Sequence, residues 1–97
     1  MEIQRQEHGA KGAFFIEEGG EWLAEMTYVK AGETKIIIDH TEVDASLKGK
    51  SVSKDLVKAG VDFARQNNLK IVPLCPFAKA EFAKHAEYAD VLADQLK

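Results

Sequence analysis

The stretch DASLKGKSVSKDLV, Asp44 to Val57, gathers Lys48, Lys50 and Lys54 around Ser51, Ser53 and a lone glycine, Gly49. At a helix start such a loop offers unpaired main-chain N–H groups and a partial positive charge, which suit an anion such as pyrophosphate. The lysines add charge to that offer. The same residues also suit a simpler task, with Ser51 or Ser53 capping the helix through its hydroxyl. Neither serine has Glu or Gln three residues on, so there is no reciprocal capping box. The G-x-x-x-x-G-K-[ST] spacing of a nucleoside-triphosphate loop is absent. Cys75, the one cysteine, stands just before a second helix. Thiols gain nucleophilicity at that position, although a free cysteine serves as readily as a small buried hydrophobe. His40 and Glu42 lie two residues apart near a strand end. An imidazole can take up a proton near neutral pH, with Glu42 orienting it or acting through water, and both also suit a solvated strand end. The histidines His8, His40 and His85 and the thiol of Cys75 are scattered, without the short paired spacings of zinc sites, so no metal is expected.

Positioning these groups falls to elements that change period near Asp44. AFFIEE, Ala13 to Glu18, alternates as a half-buried strand and meets Gly19-Gly20, a pair that tolerates the positive φ of a hairpin turn. EWLAEMTYVK then sets Trp22, Ala24, Met26 and Tyr28 on one face, with Leu23, Glu25, Thr27 and Val29 on the other. After a turn at Ala31-Gly32-Glu33, TKIIIDHTEVD forms a long strand through Val43, its isoleucines implying burial on both faces. On this reading His40 shares the face of Ile36 and Ile38, and Glu42 follows it. From Val52 to Asn67 apolar residues recur at helical spacing through Leu56, Ala59, Gly60, Phe63 and Ala64, and Asn67-Asn68 is a plausible stop. LKIVPLCPF is a short strand, and a second helix is expected from near Ala78 to about His85, with a last helical turn or two beyond.

The predicted order is β-β-β then α-β-α: an α+β fold with a three-stranded antiparallel meander, a β-α-β unit with a parallel strand pair, and a C-terminal helix. Pro73 cannot donate to the ladder, so the parallel pair should splay there. A splayed pair leaves a slot whose free main-chain groups can hold an extended ligand.

At 97 residues the chain has room for one domain, 1–97. Its 45% hydrophobic and 30% charged content is that of a globular protein. A net charge of −3 gives no general reason to bind nucleic acid, and no apolar run is long enough to span a bilayer. One cysteine and a charged N-terminal stretch without a secretory pattern make the cytoplasm the expected location.

Taken together, the strand ending TEVD and the following LKGKSVSKDLV resemble the acetyl-CoA site of the GNAT N-acetyltransferase superfamily, whose signature is Q/R-x-x-G-x-G/A. Lys48 takes the Q/R place, Ser51 the first Gly place and Ser53 the Gly/Ala place. CPFAKAEFAK resembles the family's N-x-x-A-x-x-x-Y with a lysine two residues later. Cys75 falls at the Asn, Ala78 at the Ala, Phe82 at the Tyr and Lys84 at the Lys. Residues 40–92, with the PLCPF and KHAEY blocks, resemble a branch of very short GNAT-like proteins.

The resemblance implies transfer of acetyl from acetyl-CoA to an unknown amine, on a protein or elsewhere, or else a module that holds CoA without turnover or an accessory interaction domain that kept the fold and lost the ligand. It implies a main-chain contact from Val43 to the thioester carbonyl, and a pyrophosphate held by Lys48, Gly49, Lys50, Ser51, Val52, Ser53 and Lys54. Lys84 and His85 would meet CoA phosphates or simply favour their helix end, and Phe77 would be an adenine platform or rim packing. Phe82 cannot protonate the departing thiolate as the family's Tyr does, which leaves Cys75, His40 and Glu42 as the candidate catalytic groups. Larger relatives wall the acceptor with helices between the first two strands. Here Gly19-Gly20 joins those strands directly, so the acceptor side is expected to be open.

Overall fold

The computed structural model describes residues 2–47 and 51–93. Five strands lie in the order β1-β2-β3-β4-β5: Gln4–His8, Lys11–Glu18, Glu21–Ala31, Lys35–Val43 and Lys70–Pro73. Neighbours pair antiparallel through β4, and β4 pairs parallel with β5. Helix α1 (Val52–Asn67) connects that parallel pair, and α2 (Pro76–Lys84) follows β5. A 3₁₀ segment, Ala86–Val91, then brings Ala93 N–H to the Ile71 carbonyl at 2.9 Å.

The meander therefore has four strands where three were expected. Gln4–His8, QRQEH, has no apolar alternation because it is an edge strand, held to β2 by main-chain pairing from Gln4↔Phe15 to His8↔Lys11. Arg5 and Glu7 reach back to the buried Tyr28. Arg5 Nη1 donates to the Tyr28 hydroxyl at 2.9 Å, that hydroxyl donates to Glu7 Oε2 at 2.7 Å, and Lys30 pairs with the other Glu7 oxygen at 2.8 Å. Lys30 and the tyrosine hydroxyl hold the Glu7 carboxyl below the usual glutamate range, and burial pushes the Tyr28 phenol up.

Two β-bulges change which side chains share a face. Ile16 pairs Ala24 while Glu17 pairs Trp22, which leaves Leu23 as the extra residue. Trp22 thus departs from the Ala24, Met26 and Tyr28 face predicted for it. It stacks on Phe15 with ring centroids 4.1 Å apart, and Leu23 packs against the core instead. In the second bulge, Tyr28 pairs Ile38 while Thr27 pairs His40, so Asp39 is the extra residue. Thr41, opposite the fully buried Met26, joins the Ile36 and Ile38 side. His40 and Glu42 go to the opposite face, correcting the alternation that placed them with the isoleucines. The Thr27 hydroxyl fastens the bulge by donating to Asp39 Oδ1 at 2.6 Å.

Helix α1 has its predicted bounds. It stops at Asn68, which adopts φ +56° and donates its N–H to the Ala64 carbonyl. Its buried stripe is Val52, Leu56, Val57, Gly60, Val61 and Ala64, while Ala59 and Phe63 are only partly covered. This stripe meets Phe14, Met26, Tyr28, Ile36, Ile38 and Ile71 in one core. Two glycines permit close approach there. A Cβ on Gly12 would lie 2.3 Å from the Tyr28 ring, and one on Gly60 would lie 3.0 Å from Met26. Helix α2 starts at Pro76, earlier than expected, because proline is preorganised for a first helical position. Among the described residues no helix is long and apolar enough to cross a membrane.

Candidate functional site

The parallel pair ends where Ile38 meets Pro73. Proline has no N–H to continue the ladder, and the next two amides, of Leu74 and Cys75, both converge on the Ile38 carbonyl at 2.9 and 3.2 Å. The chain turns there into α2, while β4 runs on from Asp39 to Val43 with no β5 partner. A pocket of about 470 Å³ lies at this divergence, lined by Thr41, Glu42 and Val43 of β4, Leu47, Ser51, Val52 and Ser53 at the start of α1, and Phe77 of α2. That volume is within the range of small-molecule sites.

Main-chain directions on its wall follow from the ladder. The Asp44 N–H donates to Leu23 O at 2.7 Å, across the β3 edge. Successive residues of a strand point their N–H groups alternately, so the Val43 N–H faces away from β3, toward the gap. At the other wall, Ser51 occupies the N-cap position of α1 in the left-handed conformation, φ +58° and ψ 30°, and its hydroxyl caps nothing. The first intrahelical bond runs from Asp55 N to Ser51 O at 3.2 Å. The amides of Val52, Ser53 and Lys54 therefore lie ahead of the helical ladder, at the positive end of the helix dipole. A serine held at positive φ carries about 1–2 kcal/mol of strain. Strain of this kind persists where the surrounding structure imposes it, commonly at ligand sites.

Of the residues singled out from sequence, Glu42, Val43, Ser51, Val52, Ser53 and Phe77 come together on this one pocket. Phe77 is half exposed at its rim. Lys54 is exposed on the first turn of α1, and Lys48, Gly49 and Lys50 lie outside the described residues. His40 Nε2 stands 3.8 Å from Glu42 Oε1, with both side chains open to solvent.

Cys75 is 4% exposed and sits behind the wall. Its sulfur accepts the Ala78 N–H at 3.3 Å, capping α2, and lies 3.1 Å from Thr41 Oγ1. Thr41, buried yet lining the pocket, was not singled out from sequence, because the bulge at Asp39 hides its side-chain direction. Leu47 was missed as well. Its only signal was its place beside the loop.

Lys84 and His85 stand at the far end of α2, about 13 Å along the helix axis from its start. They do not line the pocket. His85 lies between two carboxylates, with Nε2 3.3 Å from Glu81 Oε1 and Nδ1 3.0 Å from Glu87 Oε2. Glu81 Oε1 is buried and has no hydrogen-bond partner among the described residues, so its approach to His85 is not a hydrogen bond. Lys84 approaches the same Glu81 at 3.7 Å. Phe82 is buried edge-on against Tyr88, with centroids 5.7 Å apart. Among the described residues no group of three His, Cys, Asp or Glu side chains could hold a metal ion.

Comparison with known proteins adds to this geometry. The family model described as GCN5-related N-acetyl-transferase matches residues 13–91. Protein NATD1 of Danio rerio is 30% identical over 70 residues, a stretch covering 69% of this chain and 63% of that protein. Among solved structures, the solution structure of a "GCN5-like putative N-acetyltransferase" from Staphylococcus aureus superposes with a TM-score of 0.69 at 39% identity, covering 97% of this chain and 90% of the other. The ribosomal-protein-alanine N-acetyltransferase of Brucella melitensis biovar Abortus 2308 shares the fold, with a TM-score of 0.62 at 21% identity over 91% of this chain and 68% of that one. So does AAC(6')-Iy in complex with a CoA-containing bisubstrate analog, with a TM-score of 0.54 at 10% identity over 93% and 67% of the two chains. With its five-stranded sheet, its gap between β4 and β5 and a family match over most of its length, this chain belongs to the GCN5-related N-acetyltransferase family.

Proposed function

We propose that the protein is an acetyl-CoA-dependent N-acetyltransferase that takes acetyl-CoA into the gap between β4 and β5. The observation that carries this is the convergence on one pocket of the Val43 N–H and the α1 N-terminus behind a left-handed Ser51. The pyrophosphate fits the amides of Val52, Ser53 and Lys54, where anions are favoured. The pantetheine arm lies along the unpaired edge of β4, adding to it as a strand would.

The Val43 N–H then donates to the thioester carbonyl, stabilising the negative charge that grows on its oxygen during attack. The acceptor amine gives up a proton to Glu42, directly or through water, with His40 beside it. Its nitrogen lone pair forms the new N–C bond, the nitrogen releases its second proton to water as the C–S bond breaks, and the bonding pair leaves on sulfur as CoA thiolate. Thr41 is placed to return a proton to that thiolate. Thr41 lines the pocket and its hydroxyl lies 3.1 Å from the Cys75 sulfur, whose thiol can replace the proton it gives and regain one from solvent between turnovers. In this arrangement Cys75 acts through Thr41, because Thr41 lies between it and the pocket.

The test is incubation with acetyl-CoA and a panel of amines, reading free thiol release and the mass of amine and protein together. Acetylated amine with stoichiometric thiol release supports the transferase. Acetyl-CoA that raises the melting temperature yet stays intact with every amine would favour a CoA-binding module instead.

A further inference from the structure

We infer that the acceptor is an alkylammonium chain, a lysine side chain or a polyamine, and that Trp22 with Glu25 selects it. This rests on the acetyl-transfer reading and names the substrate class at the same site. The bulge at Leu23 is what places Trp22: it turns the indole away from the core onto Phe15, leaving it 37% exposed. The indole lines a cleft of about 190 Å³ together with Glu25, Glu42 and Val43. Glu42 and Val43 line the acetyl-CoA pocket too, so the two cavities share a wall at the strand whose amide is assigned to the thioester. An amine that lies in this cleft meets the acetyl group at that wall.

The lining fits a positively charged chain. A flat indole face attracts a cation or its flanking methylenes, and Glu25 and Glu42, cross-strand partners that line the same cleft, add negative charge. Asp44, also on the cleft, is occupied by the Ser46 amide and hydroxyl at 2.9 and 2.6 Å. The first two strands are β1 and β2, joined at Gly9-Ala10 rather than at Gly19-Gly20 as expected. Strands β2 and β3 are joined only by Gly19-Gly20, so no helix between these strands closes the cleft to a long or protein-borne chain.

The test measures acetyl transfer by the purified protein to spermidine, to a lysine-containing peptide, to an arylamine and to the α-amine of glutamate. Both alkylammonium acceptors should be used with higher kcat/KM than the other two, and their relative rates distinguish a free polyamine from a protein lysine. Trp22→Ala should raise KM for the preferred acceptor about threefold to tenfold, with kcat little changed. Trp22→Phe should restore most of that affinity. Glu25→Gln should raise KM as well, and the rise should shrink in high salt. The acetyl-CoA thermal shift should be the same in all three variants, which separates acceptor recognition from cofactor binding and from folding. Equal use of arylamine or glutamate, or an unchanged KM in Trp22→Ala, overturns the inference and leaves the acetyl-transfer reading standing. Absence of transfer to every amine, with or without a thermal shift, overturns both.

Discussion

Ser51 carries the sharpest prediction, because its conformation and its residue type disagree. Its φ of +58° is one that glycine adopts freely and serine does not, and its hydroxyl makes no capping bond that a substitution would lose. Ser51→Gly removes about 1–2 kcal/mol of strain. It also returns about 0.5–1 kcal/mol of extra chain entropy to the unfolded state. The net expectation is a stabilisation of about 0.5–1 kcal/mol, or about 2–8 °C in Tm for a domain of this size. Ser53 provides the contrast. It lies within the first turn of α1, so Ser53→Gly should lower stability by a few tenths of a kcal/mol. Two neighbouring serines should therefore respond to glycine with opposite signs, in thermal melts run side by side without ligand. Ser51→Ala should change little, since the strain belongs to the Cβ. The same Cβ also stands at the pocket wall, so Ser51→Gly should bind CoA as well as the parent or up to about tenfold tighter by isothermal titration. A destabilised Ser51→Gly, or two serines that respond alike, would refute the argument from backbone conformation.

Further expectations concern the core, the acid limit and the proton path. Gly12→Ala would drive a methyl into the Tyr28 ring and should cost about 1–3 kcal/mol in denaturant unfolding, with loss of the Arg5–Tyr28–Glu7 bonds. The Glu7 carboxyl is held below its ordinary range by Lys30 and Tyr28, so its folded pKa lies under its unfolded value of about 4.3. Its contribution is complete above that value and is lost as pH falls through the lower folded pKa. Glu7→Gln should thus be less stable than the parent at pH 7, and the gap in Tm should close on acidification toward pH 3. Thr41→Val keeps the side-chain shape but removes the hydroxyl. It should leave CoA affinity near the parent's while lowering kcat about tenfold or more; an unchanged kcat would remove Thr41 and Cys75 from the proton path.

The fold was legible wherever periodicity or special residues forced one answer. Gly19 and Gly20 both adopt positive φ at the β2–β3 turn, Asn68 ends α1 left-handed, and Pro73 marks the end of parallel pairing. Strand β1 was not legible, because an edge strand held by main-chain bonds needs no apolar pattern. Neither bulge was legible either. A single extra residue at Leu23 or Asp39 reverses every later side chain on its strand, and nothing in EWLAEM or IIDHTEV announces it. That is why Trp22, His40 and Thr41 were given the wrong faces or overlooked, although the segments carrying them were placed correctly. Glu42, Val43, Ser51, Val52, Ser53 and Phe77, singled out from sequence, line one pocket, since strand ends and helix starts follow from the chain order. Lys84 and His85 followed motif spacing to the other end of α2, where Glu81 and Glu87 engage them.

The proposed function rests on acetyl-CoA being held between the β4 edge and the start of α1. Titrating CoA into isotope-labelled protein while following backbone amide resonances tests it directly. Saturable shifts are expected, centred on Val43 and on Ser51, Val52, Ser53 and Lys54, with smaller changes at Thr41 and Phe77. Shifts that leave these amides in place, or that gather instead around the cavity at Arg5, Lys30 and Lys35, would contradict it.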